Sequence, residues 1–129
     1  MFGKRKKVLV LEDETSLLDA LCLKLDDAGF TAVPVDNGQD AVIESDAQEF
    51  DAAIIDLVVP RLDGFEVLTH IRSRNKEIPI IVASNLGQKE DIEEALSLGA
   101  DRFFIKSNIS LSEIVDEVKD IIEEKDKSK

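Results

Sequence analysis

Ala52-Ala53-Ile54-Ile55-Asp56-Leu57-Val58-Val59-Pro60 is an apolar run broken by one carboxylate. An ionised carboxylate is costly in an apolar interior unless it is paired or sits at an exposed strand end. The stretch therefore reads as a buried strand, Ala52 to Asp56, with Asp56 at its mouth. Two further apolar runs finish the same way: Lys7-Val8-Leu9-Val10-Leu11 stops at Glu12-Asp13-Glu14, and Arg102-Phe103-Phe104-Ile105 stops at Lys106. In an open parallel sheet, ligands bind outside the carboxyl ends of the strands, where strand order reverses. Acids from two strands and a lysine from a third are expected to meet there.

Working outward, apolar runs alternate with stretches of helical period, the pattern of successive βα units and a mostly parallel sheet. The pattern predicts strands over Val8 to Leu11, Thr31 to Val35, Ala52 to Asp56, Pro79 to Ala83 and Phe103 to Ile105. It predicts helices over Thr15 to Ala28, Gln39 to Asp46, Gly64 to Arg72, Lys89 to Leu98 and Leu111 to Glu124. Gly29, Gly38 and Gly99 mark helix stops or turns, and Ser110 with Glu113 makes a capping box for the last helix. Pro34 lacks a backbone donor and suits an edge strand, which places the second strand outermost. The expected fold is an α/β, flavodoxin-like (βα)5 doubly wound sheet of order 2-1-3-4-5, in which the first and third strands are neighbours. One domain is expected over residues 1–129, its core about 6–124, with a short charged, frayed tail at 125–129.

Composition narrows the function. In 129 residues, 43% are hydrophobic, enough for one core. No apolar stretch approaches the roughly 20 residues that span a bilayer and no signal-like amino terminus is seen, so a cytoplasmic protein without membrane attachment is expected. Sixteen basic residues against 28 acidic ones leave a net charge of −12, which opposes direct nucleic-acid binding. The basic cluster Lys4-Arg5-Lys6-Lys7 reads as a solvated run flanking the first strand. Cys22, alone of its kind, falls in the helical pattern Leu17, Leu18, Leu21, Cys22, Leu25 and reads as a small core-facing side chain. His70, the single histidine, lies on the third helix, far from the strand ends, and reads as exposed or helix-terminal.

Three carboxylates crowded together repel one another unless a cation neutralises them. Oxygen donors of this kind suit Mg²⁺ (or Mn²⁺). A carboxylate beside such an ion can act as a nucleophile toward a phosphoryl group and form an aspartyl-phosphate. That transfer is helped mainly by positioned cations, a role open to Lys106 and the metal, while Ser84 at the fourth strand's end can hydrogen-bond a phosphoryl oxygen.

At these residues the chain resembles the receiver domain of two-component response regulators, in its single-domain form. Val8-Leu9-Val10-Leu11-Glu12-Asp13-Glu14 resembles the family's first strand and acidic pair, and Asp56-Leu57-Val58-Val59-Pro60-Arg61-Leu62-Asp63-Gly64 its phosphoacceptor segment. Ile78-Pro79-Ile80-Ile81-Val82-Ala83-Ser84 resembles the strand that ends in the switch hydroxyl, and Gly99-Ala100-Asp101-Arg102-Phe103-Phe104-Ile105-Lys106 the strand that ends in the lysine. The resemblance implies that Asp56 is the phosphoacceptor. It implies that Glu12, Asp13, Asp56 and the Val58 carbonyl hold the metal, that Ser84 and Lys106 grip the phosphoryl group, and that Phe103 is the aromatic whose rotamer follows Ser84. It further implies a sensor histidine kinase or phosphotransfer protein as donor, and a downstream protein target on the face of helix 4, strand 5 and helix 5. Such a chain catalyses only its own phosphorylation and dephosphorylation.

Two positions depart from the family pattern. Ser107 stands where proline usually follows the lysine across a cis bond, and a cis bond before a non-proline residue costs about 2.5 to 4 kcal/mol. The turn at Lys106-Ser107 is thus expected to be trans and rearranged, or strained. Asn85 is larger than the usual small residue after the switch hydroxyl. With Val58 and Leu86, which flank the path of a hydrolytic water in the family, it is expected to prolong the phosphorylated state. Two other functions compete: a receiver-like interaction module that is never phosphorylated, and a haloacid-dehalogenase-like phosphatase. The second would need an aspartate two residues after Asp56, where Val58 stands.

Overall fold

The computed structural model describes residues 4–127. Five strands, β1 (Lys7–Leu11), β2 (Thr31–Val35), β3 (Ala52–Ile55), β4 (Ile80–Ser84) and β5 (Arg102–Ile105), alternate with five helices. These are α1 (Thr15–Asp27), α2 (Gly38–Ala47), α3 (Gly64–Arg74), α4 (Lys89–Ser97) and α5 (Leu111–Lys127), with a single 3-10 turn at Lys106–Asn108. All strand pairs are parallel and the order is β2-β1-β3-β4-β5, the order expected.

Both faces of the sheet are covered, and this is why its strands read as continuous apolar runs rather than as alternating ones. Side chains still alternate by face. Val8, Val10, Ala52, Ile54, Ile81 and Ala83 pack with the buried faces of α1 and α5. Leu9, Leu11, Ala53, Ile55, Ile80 and Val82 pack with Ala41 of α2, Val67, Leu68 and Ile71 of α3 and Ala95 of α4. Cys22 is half-buried against the first of these layers. Burial, and then Asp26 and Asp19, push its thiol up to about 11, so it stays protonated and unreactive at neutral pH.

Strand β2 is an edge, as Pro34 requires. Thr31 donates to the Lys6 carbonyl at 2.8 Å and the Val35 carbonyl accepts from Glu12 at 3.1 Å, so Pro34, one residue from Val35, turns its missing donor outward. Ala32, whose N–H also faces outward, donates to the Asp26 carboxylate at 3.3 Å.

The amino ends of the strands are pinned by side chains. The Arg72 guanidinium donates to the carbonyls of Gly99 at 2.6 Å, Ile78 at 2.8 Å and Asn75 at 3.2 Å, and to Asp101 at 3.1 Å. Asp101 also accepts the Ile80 N–H at 2.8 Å, and Asp51 accepts the Lys7 N–H at 2.8 Å. Most of the basic run is likewise used internally: Arg5 donates to the Gly29 and Asp26 carbonyls, Lys6 faces Asp126 and Lys7 donates to Gln48.

Element boundaries differ from expectation mainly at two places. Gly38 opens α2 instead of preceding it, capped by Asn37, which accepts the Asp40 N–H at 2.9 Å. The expected frayed tail is helical through Lys127, because α5 buries Ile121 and Ile122 and places Lys125 3.7 Å from Asp101 and Asp126 3.8 Å from Lys6. The rest of that tail, Ser128 and Lys129, lies outside the described residues. The Ser110–Glu113 capping box forms as expected, at 2.9 and 3.1 Å. His70 is part-exposed on α3 and sits 2.9 Å from Asp46 of α2. Among the described residues no helix is long and apolar enough to cross a membrane.

Helix α3 starts against the backbone of Asp56. The Gly64 N–H donates to the Leu57 carbonyl at 2.9 Å, and a Cβ on Gly64 would stand 2.3 Å from the Asp56 carbonyl oxygen and 2.5 Å from the Leu57 Cα. Backbone cannot yield as a flexible side chain does, so Gly64→Ala should cost about 1–3 kcal/mol. A urea melt would show this as a lower midpoint with an unchanged slope; an unchanged midpoint would contradict the packing described.

Candidate functional site

The register of the sheet assembles the site. Leu11 pairs with Ile55, so the next residues on each strand, Glu12 and Asp56, emerge side by side at the carboxyl edge. Backbone bonds hold both: Glu12 donates to the Val35 carbonyl and Asp56 to the Leu11 carbonyl, each at 3.1 Å. Both side chains are buried, at 4% exposure, while Asp13 is exposed. Carboxylate oxygens of Glu12, Asp13 and Asp56 lie within 4.8 Å of one another.

Lys106 leaves the end of β5 and reaches across the end of β4 to this group. Its Nζ donates to Asp56 Oδ2 at 2.8 Å and to Glu12 Oε1 at 2.8 Å. Neighbouring strands lie about 4.8 Å apart, so a side chain spanning β4 must be long. Burial works against the ammonium, yet the hydrogen bonds to Asp56 and then Glu12, with the attraction of both charges, outweigh it and raise the Lys106 pKa above its ordinary value. A group raised in this way keeps its charge, and the stability it contributes, throughout neutral pH and loses both only as strong alkali is reached.

Each carboxylate has a second anchor. Glu12 Oε2 accepts the Glu14 N–H at 3.0 Å, and Asp56 Oδ1 accepts the Val58 N–H at 3.2 Å. The loop that carries Val58 is strained: Arg61 and Leu62 hold φ of 60° and 97°, a region that side chains with a Cβ rarely adopt. Asp63 then caps α3 by accepting the Glu66 N–H at 2.9 Å.

Glu12, Asp13, Asp56 and Lys106 are thus one cluster. Ser84 is fully buried at the end of β4, paired in register with Ile105, and its Oγ accepts the Leu86 N–H at 3.2 Å. Phe103 pairs in register with Val82 and, like Leu86, is partly buried against the layer beneath α2, α3 and α4. Val58 stands 60% exposed. The Lys106–Ser107 bond is trans, since no cis peptide occurs among the described residues, and the expected rearrangement takes the form of the 3-10 turn. Asn85, expected to act on the phosphoryl group, turns its carbonyl to the Ser107 N–H at 3.0 Å. That pairing was not read from the sequence. Its only signal is that the residue after the lysine keeps an N–H while the residue after the serine offers an acceptor.

Three carboxylates against one ammonium leave a formal excess of two negative charges in a half-buried cleft. An all-oxygen donor set with unbalanced charge fits a hard divalent cation such as Mg²⁺. Carboxylate oxygens able to hold a hard cation and one positive side chain stand together.

Comparison with known proteins agrees with this geometry. The model of the response regulator receiver domain matches residues 8–119. The transcriptional regulatory protein CusR of Escherichia coli is 33% identical over 100 residues, which are 78% of this chain and 44% of that protein. The chain therefore spans under half the length of that curated relative. The receiver domain of Francisella response regulator 1452 is 27% identical, with a TM-score of 0.86 over 93% of this chain and 98% of that one. The receiver domain of the Pseudomonas aeruginosa sensor histidine kinase PA1611, solved with a magnesium ion coordinated in its active-site cleft, is 24% identical, with a TM-score of 0.78 over 92% of this chain and 98% of that one.

Because Lys106 occupies the same carboxylates that a divalent ion would use, Lys106→Met should tighten binding of Mn²⁺ about tenfold by removing a competing charge. Calorimetric titration would measure this, and an affinity equal to or weaker than that of the unaltered protein would contradict competition at the cluster.

Proposed function

We propose that this chain, which belongs to the response regulator receiver domain family, is switched by phosphorylation of Asp56. Receiver domains are signalling domains of two-component systems, and the competing readings as a phosphatase or a pure scaffold are not favoured. The observation that carries the assignment to Asp56 is its position: a buried strand-end carboxylate, bonded to Lys106 and grouped with Glu12 and Asp13. Val58, standing where a dehalogenase-like phosphatase would need its acid, is apolar and exposed.

In this reading an Asp56 oxygen forms a bond to phosphorus, and the phosphorus–nitrogen bond of a donor phosphohistidine breaks, its electron pair staying on the departing imidazole. The donor is a sensor histidine kinase or a phosphotransfer protein. Glu12, Asp13, Asp56 and the Val58 carbonyl would hold Mg²⁺, which when bound offsets the negative charge that gathers on the phosphoryl oxygens. Lys106 exchanges its bond to Asp56 for one to a phosphoryl oxygen and keeps Glu12 as its second partner. Ser84, released from the Leu86 N–H, supplies a further hydrogen bond.

Movement of Ser84 and Lys106 toward the phosphoryl group shifts an existing two-state equilibrium. Phe103 lies on β5 three residues before Lys106, beside Val82 of β4, and the output surface is the face of α4, β5 and α5, where a downstream protein docks. The protein completes no multiple turnover on an external substrate. Val58 and Leu86 carry no hydrogen-bonding side chain to orient an attacking water, so the phosphorylated state is long-lived.

Acetyl phosphate with Mg²⁺ should add one phosphoryl group by intact mass, and Asp56→Asn or EDTA should abolish the addition. Label retained on Asp56→Asn would sink the assignment. A second time course follows decay of the phosphorylated species. Val58→Asn should shorten its lifetime severalfold, and a lifetime of seconds in the parent protein, unchanged by Val58→Asn, would show that these side chains do not govern hydrolysis.

A further inference from the structure

Two exposed residues that take no part in the charged cluster meet across its rim. Asn85 directly follows Ser84, and Ser107 directly follows Lys106. The Asn85 side-chain carbonyl accepts the Ser107 N–H at 3.0 Å. The loop after β4 is also seated on the end of β5 by shape: a Cβ on Gly87 would stand 2.3 Å from Ile105 Cδ1. Ser84 and Ile105 are themselves partners in the sheet register. One hydrogen bond and one close packing contact therefore tie together the two segments that carry Ser84 and Lys106.

We propose that Asn85 is a positioning residue, which through the Ser107 N–H fixes Lys106 relative to Ser84 so that both meet the same phosphoryl group. The proposal rests on the reading of Asp56, Ser84 and Lys106 as the phosphoryl site. Its physical basis is the freedom of Lys106. The residue sits on a three-residue 3-10 turn, whose carbonyl–amide closure, Ile109 N–H to the Lys106 carbonyl, is long at 3.5 Å. Such a turn is a weak anchor for a side chain that must span β4. The Asn85 carbonyl supplies the missing restraint one residue beyond the lysine. A proline at position 107 would have no N–H to give, and a small apolar residue at position 85 would have no acceptor; each of the two polar residues is useful only with the other. The divalent-ion ligands Glu12, Asp13 and Asp56 follow other strands, β1 and β3, and Glu12 and Asp56 have backbone anchors of their own. Loosening the tie frees Lys106, which competes with a cation for Glu12 and Asp56, so it weakens phosphoryl binding without weakening metal binding.

Beryllofluoride, a phosphoryl mimic, can be titrated into the protein at saturating Mg²⁺, with the Mg²⁺ affinity measured separately. Asn85→Ala and Ser107→Pro should each weaken beryllofluoride binding about three- to tenfold, the range expected for loss of one hydrogen bond, and the double variant should be no weaker than the weaker single one. Mg²⁺ affinity should not weaken. Additive losses, equal losses of metal and beryllofluoride affinity, or an Asn85→Ala protein that binds beryllofluoride as the parent does would each overturn the proposal. Should Ser107→Pro fail to fold, amide exchange in Asn85→Ala replaces that arm: faster exchange at Ser107 together with weaker beryllofluoride binding supports the tie, and faster exchange without it overturns the tie. If the parent protein itself fails to bind beryllofluoride with Mg²⁺, the phosphoryl-site reading falls and the proposal falls with it; if the parent binds and Asn85→Ala binds equally, only the positioning role is lost.

Discussion

A single ammonium, shared by two buried carboxylates from different strands, holds the carboxyl end of this sheet together. Glu12 and Asp56 are forced into adjacency by the pairing of β1 with β3, and Asp13 adds a third negative group beside them. Left alone, three such charges would repel one another. Lys106 prevents this at 2.8 Å to each of the two buried groups. Breaking a buried ion pair by removing one partner leaves an uncompensated buried charge, so this end of the sheet is most stable while a cation is present. That dependence makes the site responsive to cations and to anions that compete for Lys106.

The fold supplies the adjacency without regard to the chemistry. A parallel sheet with both faces covered must turn its polar strand ends outward, and reversal of strand order between β1 and β3 leaves a cleft there. Gly64 brings the start of α3 against the backbone of Asp56, and the loop between them takes left-handed conformations at Arg61 and Leu62. Strain of this kind persists only where surrounding structure determines it. Here it lies within six residues of Asp56.

The fold was legible because its determinants are local in sequence. Five apolar runs of strand length, helices of regular period between them, and one proline that tolerates only an edge are enough for the topology. The cluster was legible for a related reason: charged residues that terminate apolar runs must lie at strand mouths. Less could be read where the controlling partner is distant in the chain. Nothing near Lys125 or Asp126 announces that α5 continues past Glu124; the helix is extended there beside Asp101 and Lys6. Asn85 and Ser107 each looked like an isolated departure, because a hydrogen bond between residues 22 apart leaves no periodic trace. The double engagement of Lys106 was likewise half seen, its role toward an incoming anion being read before its bond to Glu12.

The two ends of the sheet are fastened in different ways. At the amino end, Arg72 closes on three backbone carbonyls and Asp101, while Asp101 and Asp51 each take a strand's first N–H. At the carboxyl end the fastenings are ionic and exchangeable. Mechanically the domain is a cantilever, clamped at its root and held at its tip by contacts that can exchange. Displacement at the tip needs no rearrangement of the root, so the parts that fold the chain and the parts that respond to a signal can drift independently in evolution. A mouth carrying Asn85 and Ser107 in place of the more usual residues is what such a division of labour permits.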